Sequence, residues 1–151
     1  MEIFLQQYLD KLEGLHSEFT KEIKDLPQEA LDWAPGEETN SIAVLAVHVA
    51  GGARYWFSDV LAGEPSGRLR ETEFQTRGMR AAEMEQRLAS VLSYCRTALE
   101  NVTVADLDAV RTSPRDGKVV TVGWILMHIL EHTATHLGHI QLTSQLWKQH
   151  R

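Results

Sequence analysis

A histidine-rich segment in the last quarter of the chain carries its clearest chemical signal. Four of the seven histidines lie between positions 121 and 148, at His128, His132, His136 and His139. If this segment is one α-helix, with about 100° between residues, the four imidazoles form a stripe roughly 80° wide. Histidines four residues apart project from adjacent turns on one side of a helix, so their ring nitrogens can bind one cation. The segment therefore predicts a metal-binding face.

A stable site for such an ion generally needs a third donor from another element, and His48 is the best candidate. It lies in segment 41–62, on a helical face that it shares with Leu45, Gly52 and Trp56. A histidine in apolar surroundings must find partners for its ring nitrogens or incur a burial cost, and a metal ion is one such partner. Spacing alone leaves a metal site and ordinary core or surface histidines about equally well supported.

Four long segments with helical periodicity must position these histidines. Turn residues and prolines separate the segments, and strand signals are scarce. Asn40 or Ser41 is predicted to cap the second helix, and Thr121, after a short extended piece, the fourth. Loops 64–76 and 103–120 are candidates for the site entrance, but they carry no motif. The predicted helices are Ile3 to Leu26, Ser41 to Gly63, Met79 to Val102 and Thr121 to Lys148.

Amphipathic helices of this number and length favour an all-α four-helix bundle in a single domain, residues 1–151. Bundles hold metal sites between facing helices. His48 of the second helix can therefore meet His132 and His136 of the fourth inside one end of the core.

Composition and charge exclude several classes of partner. The chain has 43% hydrophobic residues and four Trp, which is enough apolar material for a core. Its formal charge of −6, without a Lys or Arg cluster, argues against nucleic-acid binding. Because Cys95 is the single cysteine, an internal disulfide is excluded, and neither a secretory signal nor an apolar run of membrane-spanning length is present. These features predict a cytoplasmic protein that binds neither nucleic acid nor membrane.

Other side chains near the histidines admit a structural as well as a functional interpretation. Tyr55 and Asp59 point the same way as His48 and would line a pocket or supply a proton donor, but core packing and a surface position, respectively, are favoured. Cys95 lies on an apolar helical face and is predicted to be a core residue. Glu131 points about 100° away from His132 and is predicted to be solvated.

The remaining histidines and aromatic residues receive simpler predictions. His16 and His150 are predicted to face solvent. Arg54 and Trp56 hold either helix contacts or a substrate, and both alternatives stay open. The other three Trp residues are predicted to be core or interface anchors: Trp33, Trp124 and Trp147.

Three motifs spread along the chain carry a family resemblance. They are Asn40-Ser41-Ile42 ahead of His48, the triplet Arg54-Tyr55-Trp56, and His132-x-x-x-His136-x-Gly138-His139-Ile140. Over essentially its whole length the chain resembles the DinB-like, or DinB/YfiT-like, metal-dependent four-helix family. The resemblance implies a divalent-metal site made of His48, His132 and His136. It assigns no role to His128, and His139 occupies a position where family members often have Gln.

The resemblance also implies an activity. The better understood members are thiol S-transferases and isomerases that use low-molecular-weight thiols such as bacillithiol or mycothiol. It therefore implies one divalent ion (Zn, Ni or Fe), a thiol cofactor, a small-molecule substrate and a homodimer. Three neutral imidazoles leave the ion its full charge and at least one open position, which suits a catalytic site. A thiol bound there would lose its proton near neutral pH.

The leading hypothesis is thus a metal-dependent thiol S-transferase whose catalytic residues beyond the metal ligands are unknown. One alternative is a non-catalytic metal- or small-molecule-binding bundle, such as a stress-response dimer, in which the histidines only stabilise the fold. Another is a helical interaction module without metal. Removal of the metal separates the first two, because loss of a structural ion lowers stability strongly whereas loss of a catalytic ion mainly abolishes turnover.

Overall fold

In the computed structural model, which describes residues 1–150, six α-helices and one β-hairpin account for most of the chain. Within these residues, no helix has the length and apolar character needed to cross a membrane. The helices are α1 (Ile3–Ile23), α2 (Gln28–Asp32), α3 (Ile42–Tyr55), α4 (Arg70–Glu73), α5 (Ala81–Leu99) and α6 (Val122–His150). The strands β1 (Val110–Thr112) and β2 (Val119–Thr121) pair antiparallel.

The four long helices form a bundle around an apolar core, which confirms the predicted fold class. α1 packs against α5 and α6, and α3 packs against the same two helices. α1 and α3 therefore occupy diagonal corners, and so do α5 and α6. The chain therefore crosses an end of the bundle between α1 and α3 and again between α5 and α6.

α3 is buried along most of its length. Ser41, one of the two predicted caps, begins it: its Oγ accepts a hydrogen bond of 3.2 Å from the Val44 N–H. Every residue from Ile42 to Ala50 is buried, because α2, α4, α5 and α6 all pack against this helix. After Tyr55 the chain widens into a π-type segment, Trp56–Ala62, which ends at Gly63 in the left-handed conformation with φ 72°. His48 is thereby held in the middle of the fold.

The connections and helix ends depart from the sequence predictions. α1 ends at Ile23 rather than Leu26, and α5 covers 81–99 rather than 79–102. Short helices α2 and α4 lie in segments predicted as linker and loop, and the extended piece before the last helix is one arm of the hairpin. Thr121 does cap α6, since its Oγ1 accepts a hydrogen bond of 3.1 Å from the Trp124 N–H.

His16 is buried, so the prediction that it faces solvent is wrong. Its side chain lies on the core-facing side of α1 and is 4% exposed. It follows Leu12 by four residues and precedes Phe19 by three, which places it within the apolar stripe of the helix. Burial lowers the pKa of His16 to about 4, and the backbone of Leu88 opposes only part of this shift.

Cys95 is fully buried on α5, as predicted for a core residue. Burial raises the pKa of its thiol to about 12, so it stays protonated at neutral pH. A nucleophilic role for Cys95 is therefore disfavoured, because the thiolate is the reactive form.

Candidate metal centre

Three histidines from two helices converge where α3 packs against α6. His48 Nε2 lies 3.0 Å from His132 Nε2. The ring centroid of His136 lies 5.1 Å from that of His48 and 4.6 Å from that of His132. Among residues 1–150, these side chains form a group whose candidate ligand atoms all lie within 4.8 Å of one another. The structure thus brings together the three histidines that the sequence singled out.

The sequence of α6 explains the placement of two of these rings. His132 and His136 are one helical turn apart and half-buried. Ile129, Thr133 and Leu137 are buried on the neighbouring face and fix the rotation of the helix against α1 and α3. The histidine stripe therefore runs along the edge of the core-facing side, as the helical period predicts.

Two consecutive glycines of α3 provide the space that the site occupies. A Cβ atom on Gly52 would lie 3.1 Å from His132 Cε1. A Cβ atom on Gly51 would lie 2.1 Å from Glu73 Oε1, a distance that the packing cannot accommodate without movement. Glycine is unfavourable inside a helix, so these two residues lower the stability of α3. In return they allow the His132 and Glu73 side chains to approach the α3 backbone.

Glu73 orients His48. His48 Nδ1 donates a hydrogen bond of 2.9 Å to Glu73 Oε2, which leaves Nε2 directed at His132. Arg68 in turn donates from Nε to Glu73 Oε1 at 2.6 Å and from Nη2 to Oε2 at 2.9 Å. All three side chains are largely buried. Arg68, Glu73 and His48 thus form a chain of hydrogen bonds that fixes the tautomer of His48, the candidate ligand.

The electrostatic environment keeps the carboxylate ionised and two of the imidazoles neutral. Burial opposes ionisation of Glu73, but hydrogen bonds and charges from His48 and Arg68 outweigh it and lower its pKa. Burial, reinforced by the neighbouring histidines, lowers the pKa of His132 to about 3 and that of His136 to about 4. Both rings are therefore neutral at neutral pH, the state in which imidazole binds metals.

Two further histidines of α6, His128 and His139, flank the group without joining it. His128 stacks on Trp124, with ring centroids 4.6 Å apart and an interplanar angle of 11°, and its centroid lies 5.7 Å from that of His132. His139 is exposed, and its Nδ1 lies 3.3 Å from His136 Nδ1. Such a hydrogen bond holds the His136 ring with Nε2 available.

The three histidines open onto a cavity of about 550 Å³. α3, α4 with the chain before it, the hairpin loop and α6 all contribute to its wall. Besides the histidines the lining is aromatic and cationic, with one carboxylate. It comprises Asn40, Gly52, Trp56, Arg68, Arg70, Phe74, Arg115, Asp116, Lys118, Trp124 and His128.

Tyr55 fixes the hairpin loop over this cavity. It is buried, as favoured from the sequence, and its hydroxyl lies 2.7 Å from Ser113 Oγ while accepting a hydrogen bond of 3.2 Å from the Arg115 N–H. Ser113 is itself fully buried. Through these bonds α3 determines where Arg115 and Lys118 stand at the cavity wall.

The donor set fits a divalent ion. Two nitrogens bound at about 2.1 Å to one tetrahedral Zn²⁺ lie roughly 3.4 Å apart, close to the 3.0 Å that separates His48 Nε2 from His132 Nε2. The candidate ligand atom of His136 lies within 4.8 Å of those of the other two histidines. Glu73 supplies the carboxylate partner that histidine ligands commonly have on their second nitrogen. The site is therefore chemically suited to Zn, Ni or Fe.

Of the other residues considered from the sequence, some line the cavity and others make only structural contacts. Arg54 lies over the Tyr94 ring at 3.6 Å and makes a packing contact, whereas Trp56 lines the cavity. Asp59 lies outside the cavity and accepts a hydrogen bond from the Ser66 N–H. Glu131 is exposed, as predicted. The orienting carboxylate comes instead from Glu73 of α4, in a segment predicted as a loop, whose sequence has no periodicity that could have identified it.

The predictions for His150 and for the tryptophans Trp33 and Trp147 are consistent with the structure. His150 is exposed, and its ring stacks on Trp33 with centroids 5.5 Å apart. Trp33 also contacts Trp147 at 5.7 Å, and both rings are half-buried. These aromatic residues therefore join α6 to the connection after α2.

Solved structures share this fold at low sequence identity. A conserved protein from Enterococcus faecalis matches with a TM-score of 0.77 and 15% identity, covering 97% of each chain. YfiT from Bacillus subtilis, described as "a probable metal-dependent hydrolase with an unusual four-helix bundle topology", has a TM-score of 0.79 and 12% identity over 98% of this chain and 90% of its own. The mycothiol-dependent maleylpyruvate isomerase has a TM-score of 0.66 and 14% identity over 91% of this chain and 62% of its own.

Among curated proteins, no sequence matches this chain. The family model of the mycothiol-S-transferases, however, matches residues 5–147 and so spans the whole bundle with all three histidines. The match agrees with the DinB-like fold of the solved structures. The protein therefore belongs to the mycothiol-S-transferase family of DinB-like four-helix bundles.

Proposed function

We propose that this protein is a metal-dependent enzyme of the thiol S-transferase type, with one Zn, Ni or Fe ion bound by His48, His132 and His136. The observation that carries the proposal is the convergence of these three rings at a cavity, where Glu73 fixes the tautomer of one of them. Three histidine ligands leave a coordination position open, which is typical of catalytic rather than structural zinc sites.

The second component of the proposal is a low-molecular-weight thiol of the bacillithiol or mycothiol type. When bound, a divalent ion lowers the pKa of a thiol beside it, so that a nucleophilic thiolate forms near neutral pH. Membership of the mycothiol-S-transferase family supports this class of cofactor. The cavity of about 550 Å³ has room for a small electrophile next to the thiol.

The chain's own residues have definable roles in this proposal. Arg68 and Glu73 hold His48 in one orientation, and Gly52 gives the His132 ring its space. The aromatic wall, including Trp56 and Trp124, displaces water from the reacting groups. Tyr55 keeps the hairpin loop in place over the cavity and so determines its shape.

Metal content per chain tests the first part. We expect about one ion per chain after purification without chelators or a His tag, and loss of that ion in both His48→Ala and His132→Ala. His150→Ala is the matched control, because His150 is exposed and lies outside the cavity. Absence of bound metal in the wild type, even after reloading with Zn, Ni, Mn or Fe(II), would refute the proposal.

One feature favours the alternative of a purely structural ion: its ligands would join α3 to α6 and so cross-link the bundle. Thermal unfolding with and without metal separates the two functions. A catalytic site predicts that metal removal abolishes thiol transfer to an electrophile while the unfolding temperature changes modestly. A large fall in the unfolding temperature, with no turnover for any thiol, would favour the non-catalytic bundle.

We also propose a homodimer. α1 and α6 are neighbours, and they expose apolar side chains, among them Ile3 at 78% and Met127 at 66%. Exposed apolar residues on adjacent helices are typical of interfaces. Light scattering coupled to gel filtration tests this, with twice the chain mass of 17.1 kDa expected.

A further inference from the structure

The cavity is positively charged although the chain as a whole carries a formal charge of −6. Four cationic residues line it, Arg68, Arg70, Arg115 and Lys118, against the single carboxylate of Asp116. None of the four lies on the long helices; they come from the chain around the start of α4 and from the hairpin loop. Two separate loops therefore bring positive charge to the same cavity.

Carboxylates already neutralise two of these cations. Arg68 forms its two hydrogen bonds with Glu73, and Arg115 Nη2 lies 3.3 Å from Asp116 Oδ2. Hydrogen bonds within the hairpin loop, above all the one with the Ser113 side chain, lower the pKa of Asp116. This carboxylate is therefore ionised at neutral pH. The cavity therefore retains two cations whose charge is not offset, Arg70 and Lys118.

Both residues line the same cavity as the histidines, and each lies over an aromatic ring of its wall. The Lys118 ammonium lies 3.9 Å from the Trp124 ring, which stacks on His128 beside His132. The Arg70 guanidinium lies 5.0 Å from the Phe74 ring, whose centroid is 5.3 Å from that of His48. Within residues 1–150, neither cation forms an ion pair with a carboxylate.

We infer that Arg70 and Lys118 form an anion subsite, and that the small molecule used by this enzyme carries a carboxylate or phosphate set apart from its reacting atom. The inference builds on the proposed function, because it assigns a charge to the substrate of the same site. Lysine and arginine side chains held on aromatic faces remain available to bind anionic oxygens. A negatively charged group would dock there while the rest of the molecule reaches the histidines.

Binding of succinate, inorganic phosphate and uncharged succinamide tests this inference, on both metal-free and metal-loaded protein. Trp56 and Trp124 line the cavity, so quenching of tryptophan fluorescence provides a readout, and calorimetry a second one. We expect succinate or phosphate to bind at low salt and to weaken as salt is added, and succinamide to bind at least tenfold more weakly. The anion that binds more tightly identifies the group as carboxylate or phosphate.

The double variant Arg70→Gln/Lys118→Gln should weaken anion binding by roughly tenfold or more. Lys11→Gln is the matched control, since Lys11 is exposed on α1 and does not line the cavity. Circular dichroism verifies that the variants fold. Equal binding of succinate and succinamide, no anion binding to the wild type, or equal affinities in the double variant and the control would each overturn the inference.

Metal content keeps this test separate from that of the proposed function. The double variant should retain as much metal as the wild type, whereas His132→Ala should lose metal and still bind the anion. Competition with 1-thioglycerol on the metal-loaded protein then tests whether an anion and a thiol occupy separate positions. We expect an unchanged succinate affinity, whereas mutual displacement would place succinate at the metal and overturn the subsite.

Discussion

At the scale of single residues, Glu73 illustrates how a side chain outside the histidine pattern can orient a candidate metal ligand. It lies at the end of α4, is 6% exposed, and accepts hydrogen bonds from both His48 and Arg68. Its charge would be costly in this position without those partners. The carboxylate thus depends on Arg68, and the orientation of His48 depends on the carboxylate.

Replacing Glu73 by Gln should lower metal affinity by roughly 10–100-fold, because the neutral amide holds His48 less firmly and leaves Arg68 without its counter-charge. Competition with a chromophoric chelator measures the dissociation constant. Glu71→Gln, on the same short helix and exposed, controls for the loss of one negative charge. If both variants bind metal equally well, Glu73 does not position the ligand.

At the scale of elements, the sequence of α3 both favours a helix and leaves space for the side chains of the candidate site. Its apolar run and the Ser41 cap form the helix, and Gly51 and Gly52 then reduce its stability at the place where Glu73 and His132 must approach. Periodicity predicts that α3 forms a helix. It does not predict the role of the two glycines, because each one makes room for a side chain that is distant in the sequence.

Gly51→Ala should destabilise the protein although alanine favours helices. The added methyl group would displace Glu73 Oε1 and break its hydrogen bonds with Arg68, so we expect the free energy of unfolding to fall by about 1–3 kcal/mol. In Gly14→Ala on α1, the added methyl group meets open space, so the free energy of unfolding should rise by up to about 1 kcal/mol. Urea unfolding of both variants measures the contrast. A stabilising effect of Gly51→Ala would show that Glu73 relocates without cost.

The helical elements and their histidines could be predicted because both depend on a local period. The four long helices appear near their predicted positions, and the spacing of His132 and His136 survives any error in the helix ends. The connections could not be predicted in this way. Arg70 and Lys118 reach the cavity from two such connections, whose paths depend on packing between distant segments.

At the scale of the whole molecule, the core contains a group that titrates. The prediction for His16 was wrong because this residue shares the buried face of α1 with Leu12 and Phe19. Its pKa of about 4 lies below the value of 6.5 for an exposed histidine. Between these values the unfolded chain binds a proton that the folded protein does not, so the free energy of unfolding decreases as the pH falls.

The loss attributable to His16 should amount to about 3 kcal/mol between pH 6.5 and pH 4 and level off below that. Urea unfolding of metal-free wild type and His16→Leu over this range measures it. Because His132 and His136 titrate in both proteins, the difference between the two curves isolates His16. A difference that does not change with pH would contradict burial of an uncharged imidazole at this position.

The diagonal arrangement of the helices also has a consequence for biosynthesis. His48 precedes its partner His132 by 84 residues, and α6, which supplies two of the three rings, is also the helix against which α1 and α3 both pack. Neither the core nor the histidine cluster can close before α6 has been synthesised. His48 is therefore synthesised well before its two partner rings, and the three-histidine group forms only once α6 has joined the bundle.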